Sequence, residues 1–242
     1  MDCGVSDMRA AVLGALSFPP GGFNPNTDIS YTGSITIIDE GNGNWHIELK
    51  TDGITTILKD PGPLDYFLLG GGGGGGSDTG GGGGGGYVNT QLNKTITVGT
   101  EYTIDIGAGG NGGTGGYDGT NGSATTAFGY TANGGLKGGS WFTARGVGGN
   151  GGSGGGGYNG AGGSNGANGA AGTAVGGTGS GATTKEFAES SGTLYATGGD
   201  GGVESPVAGS ANTGDGGDGG KPAVAGAAGG SGIVVIRNHR AA

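Results

Sequence analysis

The sequence predicts an all-β protein: a small jelly-roll-like β-sandwich with an inserted bundle of polyglycine II helices, and a short N-terminal helix. Three observations predict this class. Glycine occupies every third position through residues 148–172. Apolar and polar residues alternate within residues 33–69, and a wholly apolar strand follows at residues 233–236. Two runs of seven glycines, residues 70–76 and 80–86, lie between these strand regions.

The glycine triplets have the period of a polyproline II helix, which turns once in about 3 residues and makes no internal hydrogen bonds. A second run of this period covers residues 107–122. Neither run contains the proline that a collagen helix needs. Since backbone amides and carbonyls must find partners, these segments are expected to pack side by side and to pair with their neighbours.

The composition allows either order or disorder, and the pattern favours order. The chain has 242 residues, of which 72 are glycine and only 31% hydrophobic, a bias typical of low-complexity segments. Residues 147–184, however, contain neither a charged residue nor a proline, whereas disordered chains are usually rich in both. The glycines also keep one phase over nine consecutive triplets.

Residues 1–30 form a predicted N-terminal attachment segment. Ser6 is a helix N-cap candidate for a short helix over residues 6–16, and prolines and glycines at residues 19–22 end it. This helix would either dock onto another subunit or cover one end of its own sheet. Residues 31–242 form the second predicted domain, whose bundle lies mainly in residues 70–86 and 107–232.

Strands are predicted on both sides of the glycine runs. Residues 34–37 and 45–49 form a hairpin around a Gly-Asn-Gly-Asn turn, with Trp45 facing the core and His46 facing solvent. The other predicted strands are residues 54–58, 64–69, 94–98, 101–106 and 233–236. The runs at residues 70–76 and 80–86, joined by three polar residues, predict an antiparallel pair of rods.

Charge and cysteine content exclude several classes of protein. With 19 acidic and 10 basic residues, the net charge is −9, which disfavours nucleic acid as a partner. The single cysteine, Cys3, excludes a disulfide framework and a thiolate cluster. No apolar run is long enough to span a membrane, and the first residues make a poor secretory signal.

The residue types needed for catalysis are scarce, so we predict no enzyme activity, cofactor or metal. His46 lies on a strand and His239 in a tail expected to fray, each without an evident partner. No glycine-rich segment continues into the Gly-Lys-Ser/Thr of a phosphate loop. Asp215 and Asp218 suggest calcium-binding repeats, but they do not recur at nine residues.

Three blocks of sequence resemble the glycine-rich domain of bacteriophage and prophage tail proteins. They are LDYFLL running into glycines at residues 64–76, YTIDIGAGG at residues 102–110 and GGSGIVVIR at residues 229–237. The resemblance covers residues 33–237. The sequence is also similar to the glycine-rich ectodomain of anaplastic lymphoma kinase-type receptors and to the distal adhesins of T-even-like tail fibres. The receptor family's disulfides and membrane span are missing, which favours the phage proteins.

The resemblance implies a tail-tip or tail-fibre protein that binds a host-surface receptor, a saccharide or an outer protein. The candidate contact residues are aromatic or cationic: Lys137, Trp141, Phe142, Arg145, Tyr158 and Tyr195. Residues 183–195, with Lys185, Glu186 and Glu189, are a second candidate tip. Alternatively, the rings plug the bundle or pack on the sheet.

The resemblance also implies a place in the virion tail or otherwise outside cells. It implies partners among other tail proteins, reached through the N-terminal segment, and a homotrimeric assembly, with no nucleic acid and no membrane insertion. An alternative function is a structural tail component that caps or spaces the fibre without touching the host. A cell-wall-associated bacterial protein is a third interpretation, which the poor secretory signal weakens.

Overall fold

The computed structural model describes residues 22–158, 160–164, 173 and 184–240. Within these residues the regular structure consists of ten strands, all paired antiparallel, and two four-residue α-helices. The all-β prediction is therefore confirmed. The helix predicted at residues 6–16 lies outside the described residues, and so do residues 165–172 and 174–183 of the predicted bundle.

The largest sheet has five strands in the order β2-β3-β10-β5-β6. Their bounds are Ile35–Gly41 (β2), Asn44–Leu49 (β3), Leu64–Leu69 (β5), Val88–Lys94 (β6) and Ile233–Asn238 (β10). The C-terminal strand β10 lies between β3 and β5, and five of its six residues are buried. The prediction of an apolar strand in mid-sheet is therefore confirmed. Residues 233–236 are apolar throughout because both faces of the strand are covered.

Two smaller sheets lie against one face of the large sheet. They are β1 (Ile29–Tyr31), β4 (Gly53–Ile57) and β7 (Glu101–Ile104) in the order β1-β4-β7, and the pair β8 (Thr125–Ala127) and β9 (Tyr130–Ala132). The shared core contains Trp45, Tyr66 and Val234 of the large sheet, Ile104 of β7 and Ala132 of β9.

The opposite face of the large sheet is covered by residues 184–196. Phe187, in a 3₁₀ turn (Glu186–Ala188), and Tyr195 pack against Phe67 of β5, with ring centroids 6.0 and 5.3 Å away. Ile233 and Val235 of β10 complete this second core. The segment proposed from sequence as a second tip therefore covers the sheet instead, because its aromatic rings are buried there.

Two local predictions need correction. A strand was expected at residues 94–98, but β6 ends at Lys94, because the mostly polar Val88–Lys94 pairs with the edge of β5. A second short helix, α1 (Pro25–Asp28), was not predicted. Phe23 before it packs on Trp45, with ring centroids 5.2 Å apart, so the chain joins the β core before residue 30.

The first central rod, residues 70–76, extends directly from β5 and donates hydrogen bonds in three directions in turn. Gly73 donates to Gly84, Gly74 to Thr120 and Gly75 to Ala227, at 2.8–2.9 Å, and each series continues three residues further along the rod. Its carbonyls accept from three other segments, at Gly110, Gly135 and Gly217, over 2.8–2.9 Å. A rod with three residues per turn presents its amides in this way, so it has six neighbours.

The second central rod, residues 80–86, leads back to β6. Gly76 donates to Gly81 and Gly73 to Gly84, so the partner residue number falls as the donor number rises. The predicted antiparallel pairing of the two rods is confirmed. The second rod likewise donates to three segments, around residues 136, 153 and 217. The two rods are thus the centre of a hydrogen-bonded glycine lattice that replaces an apolar core.

Outer segments of the lattice bury one residue in three. In residues 107–114 the glycines at 107, 110 and 113 are buried, while residues 108, 111 and 114 are exposed. At the edge of the lattice, side-chain oxygens accept hydrogen bonds from backbone amides. Asn121 accepts from Lys137, Asn150 from Ser164 and Asp215 from Thr197, at 2.7–3.0 Å. Polar residues between the glycines therefore close the edges of the lattice.

A buried charge network joins the loop over residues 184–196 to the sheet. The Arg237 guanidinium is 3.0 Å from Asp65, 2.7 Å from Glu189 and 3.9 Å from the centroid of the Phe187 ring. His239, expected in a frayed tail, binds Asp65 at 2.7 Å and Pro63 through its backbone. That expectation was wrong because its partners are about 170 residues away in sequence.

Candidate functional site

The far end of the lattice is the turn between the two central rods, residues 77–79. Each rod is about 20 Å long at ~3.1 Å per residue, which sets the distance of this turn from β5 and β6. Ser77 donates to the Tyr117 carbonyl at 3.1 Å, and Asp78 accepts from the Trp141 amide at 3.2 Å. Segments distant in sequence therefore meet at this end.

A single helical turn, α2 (Trp141–Ala144), carries two exposed rings of this end. Ser140 caps it by accepting from the Thr143 amide at 3.3 Å, and Arg145 ends it in a left-handed conformation with φ 52°. Trp141 is 44% exposed and Phe142 75% exposed. Ser140 buries its side chain, so the cap fixes the helix while both rings face outward.

Two further rings lie beside α2. Tyr117 is 70% exposed and follows Gly116, where an added Cβ would lie 2.9 Å from the Phe142 ring. The Tyr158 amide donates to the Gly146 carbonyl at 3.0 Å, immediately after α2, and its ring is 40% exposed. We call Tyr117, Trp141, Phe142, Arg145 and Tyr158 the tip cluster.

Lys137 and Asp118 form an ion pair next to α2, and Asp118 binds two residues of that turn. The Lys137 ammonium is 3.1 Å from the Asp118 carboxylate, and that carboxylate also accepts from the Ser140 amide at 2.8 Å and from the Thr143 hydroxyl. Burial would raise the pKa of Asp118, but the bonds from Thr143, Ser140 and Lys137 together lower it below its ordinary value. Asp118 therefore holds α2 in place as an ionised group.

We expect α2 to loosen in acid. A carboxyl whose folded pKa is lowered contributes stability above its ordinary pKa of 3.8 and loses it as the pH falls through the lower folded value. Acrylamide quenching of fluorescence reports Trp141, since Trp45 is buried. Quenching should rise below about pH 4, and Asp118→Asn should show the raised level already at pH 7. Glu204→Gln, at an exposed site, should show the same quenching as wild type. If Asp118→Asn also showed wild-type quenching, Asp118 would not hold α2 in place.

The structure brings together five of the six residues proposed from sequence. Trp141, Phe142, Arg145 and Tyr158 belong to the tip cluster, and Lys137 is linked to it through Asp118, which binds Ser140 and Thr143. Tyr195 is separate: it is 6% exposed and packs on Phe67, so it belongs to the core. Sequence reasoning missed Asp118, because its partners Ser140 and Thr143 lie 22 and 25 residues away.

Two clefts lie away from the tip cluster. One of about 260 Å³ is bordered by Glu40, His46, Glu189, Arg237 and Arg240. Two ion pairs border it, Arg237 with Glu189 and Arg240 with Glu40, and the Glu40 carboxylate also lies 2.7 Å from His46 Nδ1. The other, of about 330 Å³, contains Asp200, Asp215 and Asp218.

Asp218 in the second cleft binds the amides of Asp200 and Val207 at 2.8 and 2.9 Å. In the described part of the chain, no three His, Cys, Asp or Glu side chains converge as metal ligands. The carboxylates of this cleft therefore have structural partners within the lattice. The same part of the chain includes no helix with the length and apolarity needed to cross a bilayer.

Comparison with known proteins places the sequence in a family. A comparison with curated proteins found no match. A family model described as a glycine-rich domain matches residues 50–239. This range begins just after β3 and ends with His239, so it contains both central rods, the tip cluster and the central strand β10. The protein therefore belongs to the glycine-rich domain family.

Proposed function

We propose that this protein is a phage tail-tip or tail-fibre protein that binds a receptor on the bacterial surface through the tip cluster. The observation that carries the proposal is the position of four exposed aromatic rings and Arg145 at the end of the lattice farthest from the sheets. Large rigid rings supply interface area at low entropic cost. A rod lattice that holds them about 20 Å from the sheets suits a projecting recognition surface.

The sheets and the N-terminal segment have separate roles in this proposal. The three sheets form a small jelly-roll-like β-sandwich, on which the polyglycine II bundle is mounted. The N-terminal segment, residues 1–30, attaches the protein to other tail proteins, and three copies assemble in the virion tail. The protein does no catalysis and needs no cofactor; its work is adhesion.

Binding of labelled protein to a panel of bacterial strains tests the proposal. Wild-type protein should bind a subset of strains, and Trp141→Ala combined with Phe142→Ala should reduce that binding at least about tenfold, since central aromatic anchors each contribute ~2 kcal/mol or more. The control replaces two exposed apolar residues near the sheets, Leu58→Ala with Leu92→Ala, and should bind as wild type. Equal loss in both variants, or no binding to any strain, would count against an adhesin.

The alternative is a structural tail component that caps or spaces the fibre. Electron tomography of particles during attachment separates the two functions. An adhesin places the lattice end against the cell envelope, whereas a cap lies away from it.

A further inference from the structure

We propose that the ligand of the tip cluster is an acidic saccharide, whose carboxylate or phosphate binds Arg145 while its sugar ring stacks on Trp141. This inference rests on the proposed function, because it names the ligand class of the same surface. It is carried by an exposed arginine that pairs with no carboxylate among the described residues, and by its place at the end of the helical turn that carries Trp141 and Phe142.

Arg145 differs from the other basic residues at the far end of the lattice, because they are paired with carboxylates. Lys137 pairs with Asp118, and Lys221 pairs with Glu204 at 3.5 Å. Among the residues that the structure describes, no hydrogen bond or ion pair engages the exposed Arg145 guanidinium. Guanidinium groups bind carboxylates and phosphates through paired hydrogen bonds. An unpaired arginine at a recognition surface therefore indicates an anionic group in the ligand.

The single turn of α2 links the residue that carries this cation to an exposed ring. Trp141 is the first residue of α2 and Arg145 is the residue that ends it, and the Arg145 amide donates to the Trp141 carbonyl at 3.2 Å. The two residues are therefore joined by a backbone hydrogen bond across one turn, and both are exposed. The Tyr158 backbone binds the next residue, Gly146. Backbone hydrogen bonds thus hold an exposed indole, an exposed phenol and an exposed positive charge within one short stretch of surface, which suits a sugar ring bearing an acid.

The charge of the rest of the protein adds selectivity. The chain carries a net charge of −9, so an anionic polymer is repelled from most of its surface. Nearby carboxylates are already engaged: Asp118 with Lys137, and Asp78 with the Ala223 amide at 2.6 Å. The tip cluster is thus a local site where an acidic saccharide meets a cation not already neutralised.

The test uses a strain that binds the wild-type protein and polysaccharide extracted from it. The extract is used as isolated and after its acidic groups are removed, by carboxyl reduction or dephosphorylation. The native extract should compete with cells for the protein, and the neutralised extract should compete at least about tenfold less well. Arg145→Met should weaken binding of the native extract about tenfold to a hundredfold and leave binding of the neutralised extract unchanged.

Two variants complete the design. Arg145→Lys keeps the charge but loses the paired hydrogen bonds, so its affinity for the native extract should lie between those of wild type and Arg145→Met. Lys94→Met removes a cation at the sheet end and should have no effect. Equal competition by native and neutralised extracts would overturn the inference. So would an extract that does not compete while protease treatment of the cells abolishes binding, since the receptor would then be a protein and the adhesin function would stand. Absence of binding to any strain would instead defeat the proposed function itself.

Discussion

Gly73→Ala is expected to lower the free energy of unfolding by about 3 kcal/mol, at the upper end for overpacked interiors. A Cβ at Gly73 would lie 2.1 Å from the Leu136 carbonyl oxygen, and one at Gly83 would lie 2.0 Å from that of Gly73. In an apolar core such a clash is relieved by moving side chains. Here the obstructing atoms are backbone atoms in hydrogen bonds of 2.8–2.9 Å, so relief requires separating two rods.

Urea denaturation followed by tryptophan fluorescence measures this effect, because Trp45 reports the sheets and Trp141 the lattice end. Gly115→Asn is the control: Gly115 has φ 61° and nothing lies within 4 Å of where a Cβ would be, and asparagine tolerates that conformation. The control should stay within about 0.5 kcal/mol of wild type. A Gly73→Ala protein as stable as the control would mean that the rods are not closely packed.

Val235→Asp is expected to cost about 4 kcal/mol or more and to leave little folded protein, because it buries an unpaired charge. Val235 has no exposed surface. It lies in register with Glu48 of β3 and Phe67 of β5 and packs in the core beneath Phe187 and Tyr195. Disturbing β10 therefore separates β3 from β5 and also removes the surface on which residues 184–196 pack.

Val98→Asp provides the matched control, since it makes the same substitution at an exposed position in a turn. Expression yield, thermal unfolding and circular dichroism should distinguish the two variants clearly. A chain ending at residue 232 should behave like Val235→Asp, because both lack a competent central strand. A folded, cooperative Val235→Asp protein would show that β10 is dispensable to the sheet.

Much of the architecture could be predicted from local patterns. The alternation around Trp45, the apolar run at residues 233–236 and the triplet glycines of residues 107–122 are local signals, and the structure bears out all three. The triplet run at residues 148–172 is described only as far as residue 164, without residue 159. The edge strand β6 was misplaced because its sequence, VNTQLNK, has little apolar alternation. Its position depends on pairing with β5, which no local pattern in residues 88–94 reveals.

The tip cluster could be predicted in part. Aromatic and cationic residues in a glycine background stood out in the sequence, so Trp141, Phe142 and Arg145 were among the predicted contact residues. Tyr195 looked the same in sequence but is buried against Phe67, since exposure of a ring depends on which rod or strand lies next to it. Asp118 could not be identified, because its role exists only where the chain brings it to Ser140 and Thr143.

The sequence by itself determined the all-β class, the three-residue period of the rods and the antiparallel return at residues 77–79. These follow from local chemistry, since glycine spacing and side-chain alternation act within a few residues. Only the tertiary structure decided which segments surround each central rod, which rings are buried and which charges are paired. Those depend on contacts between residues far apart in the chain, such as Arg237 with Asp65, and every segment of a glycine lattice offers nearly the same backbone groups to its neighbours.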